Sequence, residues 1–174
     1  MATSSASAGP LLELTFEPSL AKVEAHIKVL ALELKDFKEP LQKCIKDVII
    51  PSIQANFAAG GRPAWAPYAQ ETLDFHKMLG ESLSDSLLVK TGALKSAMGS
   101  ESIWTISSTE AYIAGLPSNV WYGYLHQQGY PGGSGNGPIP ARPFAMLQEQ
   151  DLADIDKVFD KWLHEAIIKA WPGD

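Results

Sequence analysis

Cysteine is almost missing from this chain: Cys44 is the single one in 174 residues. One thiol excludes an intrachain disulfide framework and any Cys-rich zinc site, and it suits a reducing cytosol. A basic excess is missing as well. The net charge of −6 excludes a broad electrostatic grip on nucleic acid, which needs a basic face. No apolar run approaches the roughly 20 residues that span a bilayer, so no membrane contact is expected. The opening MATSSASAG lacks the basic and apolar regions of a signal peptide, and residues 1–10 read as a loose arm. With 45% hydrophobic and 20% charged residues, a chain of this length buries roughly 70% of its unfolded surface. Residues 11–174 therefore read as one domain that needs no metal or cofactor for stability.

Catalytic and cofactor signatures are missing too. No two of His26, His76, His126 and His164 stand three or four apart, so no helix presents a metal pair. The run GYPGGSGNGP lacks the Lys and the strand-to-helix setting of a phosphate loop. Nothing like GxSxG is present. The chain reads as a non-enzyme, with a small hydrolase assembled only in space as the remote alternative.

What is present is periodic. Residues 11–17 (LLELTFE) alternate as a half-buried strand does. Leu20, Val23, Ile27, Leu30, Leu34 and Phe37 form a narrow heptad-like stripe. Pro40 bends or restarts that helix, and an apolar face continues from Leu41 to Phe57 with a kink at Pro51. Gly60-Gly61 ends it. A Gly/Pro-rich stretch with Trp65 and Tyr68 follows, then a short helix over 69–79 closed by Gly80, and a polar loop over 81–86. Thr91 is placed to cap a helix over GALKSAM. SIWTIS (102–107) and AYIAGL (111–116) predict a hairpin. Ser118 or Asn119 is placed to cap VWYGYLHQQ, with Gly129 as its stop. Residues 129–143 predict a flexible Gly/Pro loop that cannot pack a core, and 144–147 a closing strand. A last helix over 149–171 carries Leu152, Ile155, Phe159, Trp162, Ala166 and Ala170 along one side, with acids first and Lys169 last, as its dipole favours. The predicted fold is α+β: two long helical segments packed on a small, mainly antiparallel sheet, with extended loops.

Three segments carry a resemblance. They are Phe57 to Tyr68 (FAAGGRPAWAPY), Leu87 to Leu94 (LLVKTGAL), and the stretch from Tyr122 to Phe144, which holds YGYLHQQG and IPARPF. In this order they resemble the phage virion-morphogenesis family, the tail-completion proteins of Mu-like phages and their prophage relatives. Lys90 stands where an Asp is common, and Gly123 where Ala is usual. The resemblance implies a small α+β subunit of the virion that forms a ring, usually sixfold, at the head-proximal end of the tail. It stops tube growth and meets the neck proteins. No cofactor or catalytic residue comes with it.

On that reading the partners are further copies in a homo-oligomeric ring, the tail-tube protein, and a head-side stopper, connector or adaptor. Genome DNA passes through without sequence-specific binding. A neck connector between portal and tail is the alternative within the same machine. Candidate interface residues are Trp65, Tyr68, Tyr122, His126, Ile139, Arg142 and Phe144, since aromatics and Arg are enriched at interfaces. The loop around Trp65 and the IPARPF segment are the expected two faces of a ring subunit. Asp74, Glu81, Asp85, Glu101 and Glu110 are acids placed to reach an inner wall that DNA slides past.

Overall fold

The computed structural model describes residues 18–81, 87–132 and 137–172. The expected arm (1–10), the strand over 11–17, Asp85 with most of its polar loop, and the centre of the Gly-rich loop fall outside the described residues.

Helix α1 (Leu20–Glu33) starts where the Ser19 hydroxyl accepts the Lys22 N–H at 3.5 Å. Of the heptad-like stripe, Val23, Leu30, Leu34 and Phe37 are half-buried, whereas Leu20 and Ile27 are exposed. The inward set is narrower because, among the described residues, α1 packs mainly on one helix, the antiparallel α7 (Glu149–Ala170). Phe37 sits 5.1 Å from Trp162 and 6.2 Å from Phe159, ring to ring, and His26 meets Trp171 edge-on at 4.5 Å. Phe37 also donates its N–H to Ser108 O, which ties this turn to the hairpin.

The segment after Phe37 is one helical rod in three parts: α2 (Lys38–Cys44), a π turn (Ile45–Ile49) and α3 (Ile50–Ala59). Pro51 explains the middle part. Its ring would strike the carbonyl four residues back, and it brings no N–H. A π turn adds one residue per loop at that point, so Ile50 N–H reaches Ile45 O. The expected kink is thus a local widening. Gly60, in the left-handed region at φ 69, ends the rod.

Helix α4 (Gln70–Met78) follows the predicted boundaries closely. Helix α5 (Ala93–Met98) is opened by Gly92 at φ 72 rather than by Thr91; the Thr91 hydroxyl accepts only the Ala93 N–H, at 3.3 Å. The predicted hairpin is present as β1 (Trp104–Ile106) antiparallel to β2 (Ala111–Ile113), with Thr105 opposite Tyr112. A 3-10 turn (Ser118–Val120) leads into α6 (Gly123–Gln128), and neither Ser118 nor Asn119 caps it through a side chain. Residues 144–147 form a bend and no strand, because their amides and carbonyls are taken by side chains, as set out below. In α7, Leu152 is exposed, against expectation, while Ile155, Val158, Phe159, Trp162, Ala166 and Ala170 turn inward.

The fold is α+β, mostly helical, with its two-stranded antiparallel sheet to one side. Its core gathers Ile53, Phe57, Trp65, Leu94, Met98, Val120 and Phe144.

The double glycine at the end of α3 gives a contrast that can be measured. Gly60 and Gly61 both have positive φ, at 69° and 102°. A Cβ on Gly60 meets open space, but one on Gly61 would lie 2.5 Å from Trp65 Cδ1 and 2.6 Å from Pro63 O. Gly60→Ala is expected to cost about 1 kcal/mol from backbone conformation alone. Gly61→Ala is expected to cost about 3 kcal/mol, since overpacking adds to it. Urea unfolding of both variants checks this, and equal costs would mean that Trp65 does not pack on Gly61.

Candidate functional site

The three segments singled out in the sequence meet in space. Phe57, Trp65, Leu94 and Phe144 lie in one buried cluster, with Leu87, Leu88 and Tyr122 packed against it. Phe57 stacks on Phe144 at 5.4 Å and takes the edge of Trp65 at 5.7 Å. Such aromatic pairs add about 0.5–1.5 kcal/mol each beyond their area.

A polar network runs through this cluster, centred on Asn56, which is 0% exposed. Its Nδ2 donates to Phe144 O and to Met146 O, both at 2.8 Å. Its Oδ1 accepts from Arg62 Nε at 2.7 Å. Arg62 Nη2 donates in turn to the Ser52 carbonyl and hydroxyl, both at 2.8 Å. The Ser52 hydroxyl donates to Asp151, whose carboxylate also accepts the Gln148 N–H at 2.7 Å and so starts α7. Gln148 Nε2 closes the circuit on Arg62 O at 2.8 Å. Every bond joins α3, the turn after it, or the segment leading into α7.

Arg142 makes a second clasp. It is 3% exposed. Its Nε and Nη2 donate to Ala66 O and Pro67 O at 2.8 and 2.9 Å, and its guanidinium lies over the Tyr68 ring at 5.5 Å. The planar fork matches two successive carbonyls. Trp65 Nε1 donates to Pro143 O at 3.2 Å. Gln127 Oε1 accepts the N–H groups of Phe144 and Ala145, both at 3.0 Å, and His126 O accepts that of Arg142 at 2.6 Å. Ile139 and Tyr130 exchange two backbone bonds of 2.8 Å, so both flanks of the Gly-rich loop are ordered rather than free.

Trp65, Arg142 and Phe144 were candidate interface residues. The structure turns the Trp65 loop and the IPARPF segment towards each other, and these three side chains hold the fold. Tyr68, Tyr122, His126 and Ile139 are half-buried around them; Tyr122 meets the His126 ring edge-on at 6.1 Å. Among the acids, Asp74, Glu81, Glu101 and Glu110 are exposed. Asp74 accepts from Gln70, and Glu81 pairs with His76 and Lys90, which holds its carboxyl below the usual range.

Sequence reasoning missed Asn56, Arg62, Ser52, Gln127 and Asp151. The available signal was Asn56 itself: it interrupts the apolar face between Ile53 and Phe57, and a carboxamide there must find partners.

The one hydroxyl held on a carboxylate in this knot, Ser52 on Asp151, is buried and shared with Arg62. The cavity beside the knot holds about 110 Å³ and is lined by Met98, Ile113, Leu116, Gly123, Tyr124 and Phe144 among others. That is apolar and smaller than the roughly 300–1,000 Å³ of small-molecule sites. Among the described residues, no three His, Cys, Asp or Glu side chains gather as a metal site, and no helix is long and apolar enough to cross a membrane.

Compared with known proteins, the chain is similar to the Mu-like prophage FluMu G protein 2 of Haemophilus influenzae. The two are 34% identical over 119 residues, 68% of this chain and 72% of that protein. No family model matches the chain, and no solved structure matches it.

Two outcomes follow from the knot. Asn56→Ala leaves the carbonyls of Phe144 and Met146 and the Arg62 Nε without their partner, and should cost about 2–4 kcal/mol in urea unfolding. Arg142→Ala should cost about as much, and Arg142→Lys should restore only part of it, since an ammonium cannot fork onto two carbonyls. Full recovery with Lys would contradict the bidentate clasp.

The site also carries a pH dependence. Burial, and after it the Arg142 charge, holds His126 below its ordinary value. The unfolded chain then takes up that proton at a higher pH than the folded one. Stability is full above the ordinary histidine range and declines as pH falls through it towards the folded value. Acidification from about pH 7.5 to about pH 5.5 should lower Tm, and His126→Gln should flatten that slope. An unchanged slope in the variant would remove His126 from the account.

Proposed function

We propose, on the premise that this chain belongs to the family of the Mu-like prophage FluMu G protein 2, that it is a structural virion protein forming a ring at the head-proximal end of the tail. On this reading it completes the tail, halts growth of the tube and offers the head its joining surface. The observation that carries the reading is the convergence of the three tail-completion-like segments on one buried knot around Asn56. The residues that carry the resemblance serve rigidity rather than chemistry, which is what a subunit fixed by neighbours on several sides requires.

Other features support the same role. The two wider hollows on the helical side are lined by Leu32, Glu33, Asp36, Glu39 and Trp162, and by Glu39, Gln42, Lys43, Lys46, Asp47 and Glu101. Neither holds a Ser, Cys or His for a hydrolase mechanism. Large apolar side chains stand exposed in several places, among them Leu20, Met78, Trp121 and Ile168, as expected of a protein that is finished only by assembly. The partners in this reading are sister copies, commonly six, the tail-tube protein, and a head-side neck protein. Genome DNA crosses the ring without being read, past a wall for which Asp74, Glu81, Glu101 and Glu110 are candidate acids.

Disruption of the gene in a producing lysogen, with electron microscopy of the lysate, tests this. Full heads beside unattached tails of irregular length are expected, with labelled protein at the head-proximal tail end in the complemented strain. Unattached tails of uniform length would favour the connector between portal and tail. Infectious particles assembled without the protein would refute a virion role.

A further inference from the structure

An apolar strip stands exposed on the hairpin of α1 and α7, away from the knot. Its place follows from the ion pair of 2.7 Å between Lys169 and Glu33, which marks one rim of the contact between the helices. On α1, at about 100° per residue, Glu33 lies about 80° to one side of the inward set Val23, Leu30 and Leu34, while Leu20 and Ile27 lie about 40–60° to the other. On α7, Lys169 lies about 50° to that same side of the inward set, while Leu163 and Ile167 lie about 70–110° to the other. The two helices run antiparallel, as the contacts of Phe37 with Trp162 and of His26 with Trp171 show. One sense of rotation about each axis therefore leads to one side of the pair. Leu20, Ile27, Leu163 and Ile167 share the rim opposite the ion pair, exposed by 77%, 55%, 39% and 42%. Four large aliphatic side chains along one rim are more than the singly scattered apolar residues of an ordinary surface.

The chain supplies a cover at the near end of this strip. Residues 11–17, outside the described residues, join α1 at Pro18, directly ahead of Leu20. Their sequence LLELTFE sets Leu12, Leu14 and Phe16 to one side of an extended chain, and Glu13, Thr15 and Glu17 to the other. That alternation asks for one apolar surface and one wet one.

The lengths agree. From Leu20 to the level of Leu163, which follows Trp162 beside Phe37, the strip runs about 20–25 Å at about 1.5 Å per residue. Seven extended residues span about 23 Å. Pro18 and Val23 hold the positions before and inside the helix start where apolar side chains pack and fix the angle of the entering chain; both are half-buried. A tether this short also gives the segment a high effective concentration over the strip, which favours it over a separate partner.

We propose that residues 11–17 fold back along α1 and cover this strip in their own chain, with Phe16 on Leu20, Leu14 on Ile27 and Leu12 on Ile167. The proposal goes beyond the ring reading and does not depend on it. It closes a face that would otherwise be open to sister copies, and so confines contacts between copies to other surfaces.

The test uses the full chain. Leu12→Gln with Phe16→Gln changes the cover, and Ile27→Gln with Ile167→Gln changes the strip. Each pair should lower Tm by about 5 °C or more, and all four substitutions together should lower it no further than the larger of the two losses. A cover pair that leaves Tm unchanged overturns the proposal, as do losses that add. If the strip pair fails to fold, the cover pair and a cross-link still decide. Leu12→Cys with Ile167→Cys, treated with a short bis-maleimide in dilute solution, should join within one chain, while the buried Cys44 stays out of the reaction. A link between chains, or none, overturns the proposal. A strip pair that breaks up an oligomer, while the cover pair changes nothing, gives the strip to a second copy and overturns it as well.

Discussion

One buried carboxamide holds the parts of this molecule in register. Asn56 sits on the inner face of a helix, and its two ends face different segments: the nitrogen meets the carbonyls of Phe144 and Met146, and the oxygen meets Arg62. A buried amide that loses its partners costs more than the bond it makes is worth. The chain therefore cannot move the Arg62 turn or the 144–146 bend independently of α3. Because Arg62 passes through Ser52 to Asp151, the start of α7 is fixed by the same atom group. The long helical hairpin, the aromatic cluster and the Arg142 clasp all take their positions from this point.

On the proposed ring reading, each subunit must repeat one angle faithfully, and a polar network with every member satisfied is a good way to define an angle. The apolar cluster alone would tolerate sliding; the Arg62 bonds to Asn56 and Ser52 and the Arg142 fork onto two backbone carbonyls do not. What remains on the outside is the short helix α4, the cleft beside Phe144, and the apolar flanks of α1 and α7. The structure thus separates the buried residues that define the body from the apolar ones left exposed.

Periodicity made the helices legible, because each long helix has one face against the core and its spacing records that face. It made the hairpin legible through alternation around a polar turn. Leu20, Ile27 and Leu152 misled for a physical reason: spacing shows that residues share a side, but not whether anything lies opposite, and nothing in the described residues covers them. The strand expected at 144–147 failed because its backbone groups are satisfied by the side chains of Gln127 and Asn56, and no local pattern announces partners so distant in sequence. Arg142 was noticed as a candidate interface residue, but its direction was not legible. Whether a guanidinium points in or out depends on where Ala66 and Pro67 end up. The family resemblance located the segments that matter, while only the fold revealed that they pack on one another.

The central claim is that these distant segments form one cooperative unit. Native-state hydrogen exchange on the purified protein tests it most directly. The amides of Gly61 and Trp65, bonded to Asn56 O and Gly60 O, and those of Arg142, Phe144 and Ala145, bonded to His126 O and Gln127, are expected to exchange only by global unfolding, at the same free energy as the amides of α3. Asn56→Ala should lower all of them together. Exchange of residues 142–145 at a much lower free energy than α3, in the wild-type protein, would contradict the account and return the IPARPF segment to the class of loops that wait for a partner.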